Sequence, residues 1–303
     1  MQRYRRILVA SDYSDPSMTA IGVAAAWAKA CEAELELVHA FLPARYAREI
    51  MPGETDLPAK LKEAALSELE TLRKKCAADH PEATLTAIEA EHPATALCEH
   101  AKEVAADLIV IGTHGRTGLS RMLIGSVAEN VVRRATCDVL TVHPGAEPAA
   151  PKHLLSATDF SPTAERGLAA AEHLSRSFGC HTTLLHVVDA SLPALPVGAF
   201  ADDDLTERKR HAWDALASIR AEQFRDRVDV ATWVEVDPSP PDAIVRTAAD
   251  RKADVIIMAT HGRTGLASLL IGSVAERVVR HAACPVLSVR GHGVADEPAA
   301  EIH

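Results

Sequence analysis

Aromatic residues make up only 4% of the 303-residue chain against an apolar share of 48%, so its cores must rest on Ala, Val, Leu and Ile. Basic residues are outnumbered, 32 to 42, and the net charge of −10 supplies no positive field to displace counterions. That argues against nucleic acid or an anionic membrane as a general partner. The six cysteines (Cys31, Cys76, Cys98, Cys137, Cys180 and Cys284) include no CxxC pair. With no secretory signal ahead of them, they point to a reducing compartment and a cytoplasmic protein. The opening segment has four consecutive apolar residues, Ile7, Leu8, Val9 and Ala10, far short of the roughly 20 of a membrane span, so no membrane insertion is expected.

What the chain has in abundance is self-similarity. Residues 112–137 read GTHGRTGLSRMLIGSVAENVVRRATC and residues 259–284 read ATHGRTGLASLLIGSVAERVVRHAAC, with 19 of 26 positions identical and every pair 147 residues apart. Asp12 matches Asp159, His39 matches His186, Pro93 matches Pro240 and Asp107 matches Asp254 at the same offset. A tandem duplication follows, with units of ordinary domain size. The expected bounds are 1–145 for the first domain, 146–152 for a Pro- and Ala-rich linker, 153–290 for the second domain and 291–303 for a disordered tail, each domain large enough to hold its own core.

Within the first unit, ILVA reads as a strand buried on both faces, followed by a helix over 16–30, a strand over 34–40 and a long excursion over 41–57. A helix over 58–78, a strand over 84–90, a helix from Pro93, the strand LIVIG, a helix over 126–134 and a strand over 139–143 complete it. The second unit repeats the plan, with a helix opening at Pro162. Alternating strands and helices require, in each unit, a five-stranded parallel sheet with helices on both faces, an α/β, Rossmann-like fold.

The repeated stretch carries the chemistry. Gly112-x-x-Gly115, nine residues, then Gly125-Ser126 runs from a strand to the mouth of a helix, where glycines admit a close backbone approach and helix N–H groups face an anion. A plainer reading makes the glycines loop residues and Ser126-Val-Ala-Glu129, like Ser273-Val-Ala-Glu276, a capping box. Arg116 and Arg263 are either phosphate partners or solvated loop charges, and Asp12 and Asp159 either ligand-binding or turn residues beside Ser14 and Ser161. His114 and His261 are read mainly as loop-packing residues. Cys137 and Cys284 read as small buried hydrophobes, His39 and His186 as core-edge side chains, and no cluster has metal-ligand spacing.

The motif in this setting, with an aspartate closing the first strand, resembles the ATP-binding branch of the universal stress protein family, once in each half. The resemblance implies tandem adenine nucleotide alpha hydrolase-like domains and ATP as the ligand, accompanied by Mg or Mn. It assigns Ala10, Ser11 and Asp12 to the base and ribose, Ala40 to adenine through its backbone, Ile111 and Gly112 to the ribose and phosphate side, and Gly115, Gly125, Ser126 and Val127 to the phosphates. The second set is Ala157, Thr158, Asp159, Val187, Met258, Ala259, Gly262, Gly272, Ser273 and Val274. It further implies intramolecular pairing of the domains through their last strands, a homodimer as a further assembly, and a stress-response or signalling role in which nucleotide switches conformation or oligomeric state. No Walker lysine follows the loop, so at most slow ATP hydrolysis is expected. A scaffold that uses no nucleotide is the alternative. Ala259, replacing the first glycine, puts a methyl group where backbone and ligand are expected to be close, which makes the second site the equal or weaker binder.

Overall fold

A computed structural model describes residues 4–47, 56–113, 124–191, 201–224, 229–260 and 271–290. The first half contains β1 (Arg6–Ala10), α1 (Asp15–Cys31), β2 (Glu34–Phe41), α2 (Ala44–Ala47), α3 (Leu57–Cys76), β3 (Thr84–Glu89), α4 (Pro93–Glu103), β4 (Leu108–Gly112), α5 (Ser126–Arg134) and β5 (Asp138–Val142). The second contains β6 (His153–Ala157), α6 (Ala164–Phe178), β7 (His181–Asp189), α7 (Ala201–Gln223), β8 (Val230–Asp237), α8 (Pro240–Asp250), β9 (Val255–Ala259), α9 (Ser273–His281) and β10 (Val286–Val289).

All ten strands form one sheet, ordered β3-β2-β1-β4-β5-β10-β9-β6-β7-β8. Pairing is parallel within each half, and central strands such as β4 and β5 are near-continuous apolar runs because helices cover both faces. The halves meet where β5 and β10 pair antiparallel, with Thr141 opposite Val286 and Leu140 opposite Leu287.

Packing makes the halves less separate than the duplication suggests. On one face a single cluster runs through Leu37, Leu108, Leu140, Leu154, Leu184 and Leu287, drawing on both repeats. Two of the scarce aromatics sit where the halves meet, the Trp27 ring edge-on to Phe178 at 5.2 Å, and Tyr4 lies 6.4 Å from Trp27. On the other face each half keeps its own cluster, but Ile124 and Ile271 each pack against both. Polar clasps reinforce the seam. Asp138 accepts from the Tyr4 hydroxyl at 2.9 Å and from the Arg290 N–H at 2.8 Å. The Arg290 guanidinium donates to the Val132 carbonyl, and His143 Nε2, 147 residues before Arg290, donates to the Val279 carbonyl at 3.1 Å.

Three local differences from expectation have physical causes. The excursion after β2 contains the short α2. Helix α4 stops at Glu103 because Ala105 turns left-handed (φ 52°), as Lys252 does at the matching position (φ 54°), and neither site signals itself with glycine. Helix α6 starts at Ala164 and not at Pro162. Burial raises every cysteine thiol, Cys137 and Cys284 to about 12, so they are unreactive hydrophobes at neutral pH.

Candidate functional site

The site forms where strand order reverses. β1 lies between β2 and β4, and its chain turns away after Ala10 into the loop that leads to α1. The neighbours continue past it. Val38 accepts a hydrogen bond from Ser11 N at 2.8 Å, so Ala40, two residues on, also turns its N–H and C=O toward the β1 side. Thr113 N donates to Val142 on the β5 side at 2.9 Å, so Gly112 faces back toward β1. Ala40 and Gly112 therefore border a gap whose filling strand has ended, the usual ligand crevice of an open α/β sheet. The second half repeats the arrangement, with Thr158 N bonded to Leu185 O at 2.9 Å placing Val187, and Thr260 N bonded to Val289 O at 3.1 Å placing Ala259.

The loop after β1 is tightly built. One oxygen of Asp12, Oδ1, accepts from Ser14 N at 3.1 Å and from the Ser14 hydroxyl, and Ser14 in turn caps α1 through Ser17 N. Asp159 Oδ1 accepts from Ser161 N at 3.0 Å and from its hydroxyl at 2.6 Å. Both aspartates thus hold the turn, whatever else they contact. Between aspartate and serine, Tyr13 and Phe160 adopt left-handed φ values of 66° and 61°, each costing roughly 1–2 kcal/mol. Compensating contacts come from two histidines. The Tyr13 ring lies 4.1 Å from His39 and the Phe160 ring 4.2 Å from His186, and each imidazole donates from Nδ1 to a loop carbonyl, Ser11 O at 2.7 Å or Thr158 O at 2.8 Å. These four residues position the loop and were not expected to. The only sequence signal was the recurrence of His39 as His186.

The glycine-serine pair is not a capping box. Gly125 and Gly272 occupy the N-cap, with φ and ψ of −62° and 143°, and −62° and 144°, which leaves Ser126 and Ser273 at the first helical position. Glu129 and Glu276 pair instead with Arg133 and Arg280, both at 2.9 Å. The two serines are exposed at the helix mouths, and among the described residues neither hydroxyl has a hydrogen-bond partner. Ser126 and Val127 line a cleft of about 360 Å³ together with His92, Pro93, Thr95, Asn130 and Arg134, so the N-termini of α4 and α5 converge on one cavity. His92, Thr95, Asn130 and Arg134 were missed because they belong to no motif.

Ile111 and Met258 turn their side chains into the cores under α5 and α9, each 6% exposed, so a ligand meets only their backbone. Ala10 is buried, while Ala157 and Val274 are half-buried. Gly115, Arg116, Gly262 and Arg263, with His114 and His261, lie outside the described residues.

The methyl group of Ala259 does not point where the sequence suggested. A Cβ on Gly112 would lie 3.1 Å from the Pro16 carbonyl oxygen, on the α1 face, and not in the cleft beside α5. In the second half α6 accommodates that methyl group. It starts two positions later in register, at Ala164, while at Gly167, the counterpart of Ala20, a Cβ would make only an ordinary 3.4 Å contact with Ala259 N, so the later start and not the glycine makes the room. The exchange is one of helix packing, so it supplies no reason by itself for a weaker second site.

An open parallel α/β sheet, with a crevice at the reversal of strand order and a glycine-serine helix mouth beside it, defines a class of small-ligand-binding doubly wound proteins. The chain belongs to the universal stress protein family, whose model matches it twice, over residues 3–143 and 151–290. It is 28% identical over 293 residues to a universal stress protein of Mycolicibacterium smegmatis, covering 94% of this chain and 96% of that one. A Mycobacterium tuberculosis universal stress protein is 32% identical over 194 residues, 61% of this chain and 62% of its own length, so that match spans less than two thirds of the relative. A universal stress protein structure from Archaeoglobus fulgidus shares the fold at a TM-score of 0.68 and 18% identity, over 95% of this chain and 98% of that one. Among the described residues no helix is long and apolar enough to cross a membrane.

Proposed function

We propose that this protein is a cytoplasmic, nucleotide-responsive stress or signalling protein that binds ATP at the crevice of its first repeat. The observation that carries the reading is the Gly125-Ser126 helix mouth. Its serine caps nothing, its hydroxyl is exposed, and it opens on the cleft shared with α4. The residues fit the ligand. Main-chain groups of Ala40 and Gly112 suit the edge of adenine and the ribose, while the first N–H groups of α5 and the Ser126 hydroxyl suit phosphate oxygens with the helix dipole behind them. Arg134 adds a permanent cation. A Mg or Mn ion would be held chiefly by phosphates and water. The nucleotide then acts as a switch, changing conformation or assembly, and not as a substrate.

Calorimetry of the purified chain with ATP and magnesium tests this, with AMP and cAMP as comparison ligands to establish how many phosphates are read. Binding by the wild type and its loss in Gly125→Asp is the expected outcome, since a carboxylate at the helix mouth repels phosphate. Absence of nucleotide binding in the wild type would favour a scaffold that uses the fold alone.

A further inference from the structure

The mouths of α5 and α9 have matching backbone geometry, while the side chains on the helices beside them differ. Gly125 and Gly272 agree within a degree in φ and ψ, and their N–H groups donate to Thr113 O at 2.6 Å and Thr260 O at 2.7 Å. The described differences beside these mouths lie in side chains. At the 147-residue offset Thr95 becomes Asp242, Asn130 becomes Arg277, Arg134 becomes His281 and His92 becomes Ser239.

In the first cleft no carboxylate is present among the lining residues. Arg134 Nη1 reaches the neutral Thr95 hydroxyl at a long 3.4 Å, and Asn130 turns back to donate to Ser126 O at 2.8 Å. In the second, Arg277 Nη2 lies 3.1 Å from both carboxylate oxygens of Asp242, and the Ser239 hydroxyl donates to Asp242 Oδ2 at 2.6 Å. The first turn of α8 is thereby tied to the second turn of α9 by a negative charge that α4 lacks.

We propose that Asp242 is a built-in anion of the second cleft, engaging Arg277 beside the mouth of α9, so that the chain takes one phosphate-bearing nucleotide and takes it in the first repeat. An ion pair this exposed, with Asp242 and Arg277 both about half accessible, contributes little stability and is no mechanical plug. It acts through charge. A polyphosphate drawn to Arg277, one turn beyond Ser273, must compete with the Asp242 carboxylate for it, whereas one approaching Ser126 meets Arg134 opposed by no acid among the described lining residues. The inference rests on the nucleotide reading of the first cleft and adds that the two repeats are functionally unequal.

The number of ATP molecules bound per full-length chain, measured by calorimetry with magnesium, tests it. One per chain is expected for the wild type. Asp242→Thr with Arg277→Asn, which copies the first cleft, should raise the number to two, and in a Gly125→Asp background should restore binding to within about tenfold of the first site. The reciprocal pair Thr95→Asp with Asn130→Arg should weaken the first site at least tenfold. All four positions are at the surface or cleft rim, and circular dichroism with a denaturation midpoint confirms folding. Two molecules per wild-type chain, or one per chain in a folded Asp242→Thr, Arg277→Asn protein, overturns the inference and leaves the first-site reading standing. A wild type that binds none overturns both.

Discussion

Replacing Gly112 with alanine isolates the packing rule that separates the two repeats. The added Cβ would lie 3.1 Å from the carbonyl oxygen and 3.2 Å from the carbonyl carbon of Pro16, both backbone atoms in the first turn of α1. Backbone cannot rotate aside, so either α1 moves by a few tenths of an ångström or its first turn opens. Overpacking of this kind costs about 1–3 kcal/mol. Opening the turn instead forfeits the Ser14 cap, about 1 kcal/mol. The second repeat carries the methyl group naturally, and its helix starts only at Ala164, although the Ser161 hydroxyl still accepts from Ala164 N at 3.3 Å. Gly112→Ala is therefore expected to lower stability by about 1–3 kcal/mol in urea unfolding, and to speed amide exchange at Ser17 and Met18, whose N–H groups bond to Ser14, while leaving the core of β4 protected. A loss below about 0.5 kcal/mol with unchanged exchange would refute the packing argument.

The converse change, Gly167→Ala, places a Cβ no closer than 3.4 Å to any atom and removes a helix-interior glycine, so a gain of up to about 1 kcal/mol is expected; a clear loss in unfolding would count against the described fit. Asp138→Ala should cost about 2–3 kcal/mol, because the Tyr4 hydroxyl and the Arg290 N–H both lose their acceptor at the seam, and a near-neutral value would show the clasp to be unimportant. His153 is held below its ordinary pKa first by burial and then by the neighbouring His181, with the hydrogen bond to the Arg251 carbonyl and the Asp254 charge opposing the shift and the Arg251 charge adding least to it. Because the folded-state value is depressed, this group's contribution is present above the unfolded pKa of about 6.5 and fades as pH falls through the folded value. Wild type should thus lose more stability than His153→Gln between pH 7.5 and 5.5, and parallel profiles would contradict this.

The layout of the fold was legible because its strands announce themselves. Runs such as LIVIG and the prolines at 93 and 240 fix elements to within a residue or two, and the 147-residue offset carries each assignment into the second half. Boundaries governed by tertiary contact were not legible. Nothing local tells Ala105 to turn left-handed, and the late start of α6 depends on a methyl group nearly 100 residues away in β9. The glycine-serine motif located the helix mouth, but its capping-box appearance was misleading by one position, since glycine and not serine takes the cap. The far wall of the cleft was invisible because Thr95, Asn130 and Arg134 form no pattern until α4 and α5 lie side by side.

The antiparallel step between β5 and β10 settles which way each crevice looks. Carboxyl ends of the first half-sheet leave one edge of the slab and those of the second leave the opposite edge, separated by at least a strand's length, roughly 17 Å for five residues. Molecules seated at the two openings neither crowd nor shield each other, and a short tether cannot join them across the sheet. Anything bound at one end would face away from anything bound at the other. Among the described residues those ends are joined through the β5–β10 seam, which Ile124 and Ile271 cross on one face and a continuous apolar cluster crosses on the other.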